Sequence, residues 1–271
     1  VSRPPALRGR PIRPSFALTV FVVLGSAAPR GLGAQTILNV ERLQPRETHG
    51  WHAGVEGSLD VGRGNDAHTN LLAGVAAGYR WPGDWARVFA GIDYKAKDDG
   101  SLDNNRYLHV RYNHWWRPRL QSFHFVQIQE NHTGVLRERF LLGSGLRLRL
   151  WETASTTFDV GSGAMYEHEN LDAARIEDDH PAHERVLRMA NLLVLNRRLS
   201  EDVRFVGVGY VQPRLDDFGD ARTLADLSVL IAVTDQVDLA VRFQWRHDTR
   251  PPGGVLADDF ALTSGFTVSL R

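Results

Sequence analysis

Val237-Asp238-Leu239-Ala240-Val241-Arg242-Phe243-Gln244-Trp245-Arg246-His247 is the most regular stretch of this chain. Val237, Leu239, Val241, Phe243 and Trp245 fall on one side of a two-residue period. Asp238, Ala240, Arg242, Gln244 and Arg246 fall on the other. A strand points successive side chains to opposite faces, so this segment makes one apolar and one polar face. The same pattern sets Trp51, Ala53, Val55, Leu59 and Val61 against His52, Gly54, Glu56, Ser58 and Asp60. It sets Leu142, Leu146, Leu148 and Leu150 against Gly143, Gly145, Arg147 and Arg149. It also sets Phe158, Val160, Ala164 and Tyr166 against Asp159, Gly161, Gly163 and Glu167. Segments near 120–130, 186–196 and 203–211 alternate less cleanly, as a bulge or a slip of phase would produce.

About twelve such segments follow one another, and their links alternate short and long. Short links lie near Trp81-Pro82-Gly83-Asp84, Arg117-Pro118-Arg119, Trp151-Glu152-Thr153, Ser200-Glu201-Asp202 and Asp235-Gln236, with the residues that turns favour. Long links lie near 62–67, 98–104, 130–137, 168–184, 212–221 and 248–258. Tight turns on one side and long loops on the other mark a transmembrane antiparallel up-and-down β-barrel. Both ends of the barrel then lie on the short-turn side, the periplasmic side of an outer membrane.

Alternation does not say which face is outside, because a soluble barrel is apolar within and a membrane barrel is apolar without. Tryptophan decides between them. Trp81, Trp85, Trp115, Trp116 and Trp151 flank short turns, and Trp51 opens the first strand at the same level. Amphipathic indoles gather at membrane interfaces, so these six are expected to form an aromatic girdle.

The chain has 271 residues and no cysteine, with 32 basic and 32 acidic residues. Residues 1–34 are expected to be an export signal. Arg3, Arg8, Arg10 and Arg13 make a basic start, Phe16 to Ala28 an apolar core, and Ala34 a small residue at the cleavage point. Residues 35–48 are expected to form a short periplasmic segment, and 49–271 the barrel. Without residues 1–34 the charge becomes 27 basic against 32 acidic, which is no nucleic-acid footprint. Absence of cysteine excludes disulfides and thiolate metal sites. The last strand, Thr263 to Leu270, carries polar, glycine and apolar residues at the spacing of a barrel-assembly signal, with Gly265, Val268 and Leu270 as its marks. Its partners are expected to be the assembly machinery during biogenesis and, afterwards, outer-membrane lipid and lipopolysaccharide.

Gly50-Trp51 opening the first strand and Gly64-Asn65 closing it resemble the salt-induced outer membrane protein family. The Gln212-Pro213 loop, the Asp248-to-Asp259 loop with Pro251-Pro252 and Val255, and the apolar-ending last strand match as well. The resemblance covers residues 49–271. It implies an outer-membrane barrel linked to salt or osmotic conditions, and it carries no catalytic residue or cofactor.

The polar face holds Glu56, Asp60, Asp93, Arg111, Arg147, Arg149, Asp159, Glu167, Asp238, Arg242 and Arg246, all expected to face the lumen. The expected role is a narrow passive pore, whose charges set its ion preference, or an envelope-integrity protein; in the alternative the charges pair with one another and close the interior. In that case the barrel works as an envelope structural or adhesive protein through its loops. Glu167-His168-Glu169 through Asp178-Asp179-His180 and His183-Glu184 is the densest group of metal-capable side chains. It is read as a solvated loop rather than a metal site, because no rigid spacing holds the ligands together. A barrel enzyme acting on lipid is a third reading. Ser144 and Ser162 fall on the lipid-facing phase, and His109 on the polar face has no hydroxyl neighbour identifiable by spacing, so no catalytic residue is assigned.

Overall fold

Pro82 and Gly83 reverse the chain in two residues between Trp81 and Asp84, with Gly83 at a φ of 89° that a side chain would oppose. Turns of this kind join long strands. In the computed structural model, residues 18–24, 49–62, 68–97, 102–131, 135–176, 180–234 and 237–270 are described. The strands are β1 (Leu18–Leu24), β2 (Gly50–Gly62), β3 (His68–Trp81), β4 (Asp84–Lys97), β5 (Leu102–Arg117), β6 (Leu120–Asn131) and β7 (Leu136–Glu152). They continue as β8 (Thr156–Leu171), β9 (His183–Met189), β10 (Asn191–Arg198), β11 (Val203–Pro213), β12 (Ala221–Ala232), β13 (Val237–Asp248) and β14 (Asp258–Leu270). A 3-10 turn, Ala173–Arg175, follows β8.

From β2 to β14 each strand pairs antiparallel with the next in sequence, so the molecule is an all-β, up-and-down sheet. β9 and β10 are one stave interrupted at Ala190: both pair with β8, and Ala190 donates its N–H to Gly163 O at 2.9 Å. With that stave counted once, β2 to β14 supply twelve staves, the number the alternation predicts. The pairings return on themselves, because β10 meets β8 and β1 lies between β14 and β2.

A strand, β1, lies within residues 1–34; the cleavage point at Ala34 and the segment 35–48 lie outside the described residues. One expectation changes. The loop expected over 168–184 is shorter, because β8 runs on to Leu171 and β9 starts at His183. Pairing with β7 and β9 satisfies the backbone of Glu167 and Glu169 there.

The phase of the strands makes the barrel inside-out. Facing outward are Leu142, Leu146 (55% exposed), Leu148 and Leu150 on β7, Leu193 on β10, and Val241 and Phe243 on β13. Facing inward, and buried, are Arg87, Arg111, Arg139, Arg147, Arg188 and Arg222. Water would reverse this arrangement, whereas hydrocarbon rewards it. At 12 to 17 residues, the strands from β4 to β8 exceed the 9–11 that a tilted strand needs to cross a bilayer.

Candidate functional site

The interior is arranged in three layers. The layer nearest the long loops centres on Glu167 of β8, which is 1% exposed. Arg139 of β7 donates its Nε–H to Glu167 at 2.7 Å, and Arg188 of β9 does the same at 2.7 Å. Arg222 of β12 donates to Glu167 as well, and to Glu169 at 3.0 and 3.1 Å. Arg222 also reaches Asp248 of β13 at 3.3 Å, and Arg188 reaches Asp220 at 2.8 Å. Arg214, outside this buried group, extends it to Glu184 at 2.5 Å and to Asp216 at 2.9 Å. The contact from Arg222 to Glu167 passes over two staves, β9/β10 and β11, so it is a chord across the interior.

The middle layer is apolar. Phe123 and Phe125 of β6 lie over Gly143 and Gly145 of β7, and a Cβ on Gly145 would come within 2.5 Å of the Phe123 ring. These glycines are the space the rings fill. Phe123 packs with Met165 and Ala190, while Leu192, Val194, Val208, Tyr210 and Leu224 fill the side toward β10–β12. The layer nearest the short turns is polar again. Arg147 donates to Asp159 at 2.7 and 3.1 Å, and Arg149 donates to the same carboxylate at 2.9 Å. Asp226 accepts from Gln244 at 2.8 Å and lies 3.4 Å from Arg242. Arg87 donates to Asn113 at 2.9 Å, and Asn113 donates to Gln121 at 2.9 Å; His109 lies 3.0 Å from Gln127 on the long-loop side of Phe125.

Of the residues expected to face the lumen, Arg111, Arg147, Asp159 and Glu167 are buried inside. Arg149, Asp238, Arg242 and Arg246 are partly buried, and Arg246 pairs with Asp259 at 3.1 Å. Glu56 and Asp60 on β2 and Asp93 on β4 lie outside the side chains described. So do those of Gly265 and Val268, which pair with Ala240 and Val237, and of Leu270, which pairs with Leu18.

The girdle needs correction. Trp51, Trp81, Trp116 and Trp151 stand exposed at the short-turn rim, and Tyr79 packs between Trp51 and Trp81. Trp85 is buried instead, its ring 3.5 Å beneath the Arg87 guanidinium. It shares the phase of Arg87 and Phe89, so it points inward. Trp115 follows Arg111 and Asn113 in phase, is half-buried, and has the Arg80 guanidinium 5.3 Å from its ring. Cation–π contact holds both indoles inside.

The acidic, histidine-bearing loop is partly consumed by pairing. Glu167 and Glu169 belong to the interior layer. Asp172 caps the 3-10 turn and meets Arg137 at 2.7 Å, and His183 bonds Asn170 at 2.7 Å. Asp178 and Asp179 lie outside the described residues, as do the structural surroundings they make. Among the described residues no three metal-capable side chains come together.

The sequence reading missed Arg139, Arg188, Arg222, Glu169 and Asp226. Arg139 shares the phase of Arg147, which was a usable signal. Arg188 was hidden by the irregularity at Ala190. It also missed a cross-strand pair on the outer wall: His124 lies opposite Ser144, with Nδ1 2.9 Å from the hydroxyl. This pair is flanked by exposed Leu142 and Leu146. Two polar groups in an apolar belt satisfy each other there, as Ser162 and Asn191 do at 2.8 Å.

Comparison with known proteins adds a family and a set of similar folds. A family profile described as "Protein of unknown function, DUF481" matches residues 55–270. No curated protein sequence matches the chain. A NanC porin structure is similar with a TM-score of 0.49 at 12% identity, covering 74% of this chain and 94% of that one. The translocator domain of the autotransporter NalP from Neisseria meningitidis gives 0.46 at 13% identity, covering 75% and 82%. A bacterial polysaccharide outer membrane secretin gives 0.42 at 12% identity, covering 76% and 84%.

Proposed function

The chain belongs to the DUF481 family of proteins of unknown function, and we propose that it is an outer-membrane β-barrel whose lumen is closed at rest. The apolar outer wall and the four exposed indoles at the short-turn rim support a place in lipid. Expected contacts are outer-membrane lipid, lipopolysaccharide at the long-loop end, and the assembly machinery before folding. The observation that carries the closed state is the Arg222 chord to Glu167 and Glu169, with Arg139 and Arg188 on the same carboxylate. Arg139, Glu167 and Arg188 are each 1% exposed. Side chains lining a water-filled channel would stay wet; these are sealed by one another. The protein therefore serves the envelope as a wall element, without catalysis, and its working surfaces are the outer wall and the long loops.

Planar-bilayer recording of the refolded protein tests this. The wild type is expected to give no steady conductance steps. Reproducible steps whose ion selectivity moves on charge reversal at Arg149 or Arg242 would establish a narrow passive pore in place of a closed barrel. The link to salt and osmotic conditions rests on the family resemblance, and growth of a deletion strain across osmolarity tests it separately.

A further inference from the structure

β1 holds a position that the strand pattern leaves no room for. Its backbone pairs antiparallel with β14, from Leu18 opposite Leu270 to Leu24 opposite Ser264. It pairs parallel with β2, from Leu18 opposite Ala53 to Val23 opposite Ser58. The other staves number twelve, and β1 makes thirteen. Around a closed ring of antiparallel neighbours the directions alternate, so the number must be even. An odd stave forces one parallel pair, and that pair falls between β1 and β2. Parallel pairing is slightly the weaker per residue. Without β1, the strands on either side of the gap run in opposite directions and can pair with each other.

The two registers also fix how they would pair. Val55 of β2 and Val268 of β14 both lie opposite Val20 of β1. Directly paired residues on antiparallel strands share a face. Ala53 and Leu262 are exposed, and Val55 and Val268 stand an even number of residues from them along β2 and β14, so this register keeps the two-residue period of both strands. A direct pairing in this register runs from Ala53 opposite Leu270 to Gly62 opposite Ala261. That is ten antiparallel pairs, against seven and six for β1 with β14 and β2.

We propose that the gap between β14 and β2 is a strand-accepting site for an extended apolar segment, filled in this structure by Leu18–Leu24. On release of that segment, β14 and β2 close on each other with Val55 opposite Val268. The site lies in the wall, apart from the charged interior, and acts as a seam with two states. A thirteen-stave ring holds β1, and a twelve-stave ring excludes it.

The absence of cysteine makes engineered disulfides unambiguous. A recognition sequence for a specific protease is inserted after Ala34 in the full chain, which is refolded in detergent micelles. Before cutting, Val20→Cys/Val268→Cys is expected to cross-link and Val55→Cys/Val268→Cys to stay open. After cutting and removal of the released peptide, the second pair is expected to cross-link nearly completely. Ser58→Cys/Gly265→Cys, in the same register three residues along, repeats the readout should the first variant fail to fold; Val55→Cys/Phe266→Cys should stay open throughout. Failure of Val20→Cys/Val268→Cys to cross-link in the full chain would overturn the occupied seam. A β1 segment that stays cross-linkable after cutting, or a closed seam found in the Phe266 register, would overturn the exchange. A conducting wild type would overturn the closed lumen and leave the seam standing.

Discussion

Glu167 is the residue on which the interior depends. It is a single carboxylate accepting from Arg139, Arg188 and Arg222 within a low-dielectric layer. Removing one member of a buried ion network leaves uncompensated charge, so Glu167→Gln is expected to cost about 3–5 kcal/mol. Urea unfolding in micelles measures this, and a loss below 1 kcal/mol would mean the arginines find other partners. A second residue-scale prediction concerns the loop 214–220. Arg214 hydrogen-bonds Asp216 at 2.9 and 3.0 Å and holds its carboxyl below the ordinary value of 3.8. A carboxyl depressed in the folded state contributes stability above its unfolded value. That contribution is lost as pH falls through the folded one. The Asp216 contribution is thus expected to fade below about pH 3.8, and Asp216→Asn to remove that part of the acid transition. Acid-unfolding profiles of the two proteins check it.

At the scale of the element, phase decides everything. β4 turns Trp85 inward with Arg87, while β7 turns Trp151 outward. Brominated lipids quench indoles that touch the bilayer. Trp151→Phe and Trp116→Phe are each expected to remove a measurable share of that quenching, and Trp85→Phe to leave it nearly unchanged. Equal losses from all three would return Trp85 to the girdle. The same phase puts Leu146 in the middle of the outward belt of β7, between Leu142 and Leu150. Leu146→Arg is expected to destabilise the barrel by about 2–4 kcal/mol, as a charge at the bilayer midplane does. A near-neutral effect in a folding titration into lipid vesicles would place Leu146 away from hydrocarbon. Most of this was legible beforehand: Leu142, Leu146 and Leu150 against Gly143, Arg147 and Arg149 is a pattern any reader of the sequence can count. Trp85 and Trp115 were not, because nearness to a turn fixes the height of an indole and says nothing of its side.

For the whole molecule, the decisive property is how the described side chains pack inside the barrel. Two charged layers enclose an apolar one, with Phe123 and Phe125 seated over Gly143 and Gly145. A barrel so packed is expected to be electrically silent, and planar-bilayer recording settles that at the scale of one molecule. The sequence by itself determined the strands, the alternation of short turns and long loops, and the inside-out wall. Each of these is written in local periodicity, which a strand's two-residue repeat converts directly into faces. Only the tertiary structure decided that Arg222 reaches Glu167 over two staves, that His124 meets Ser144, and that β1 lies between β14 and β2. Those contacts join residues 20 to more than 240 positions apart, and register and curvature select them, neither of which a single chain's alternation encodes.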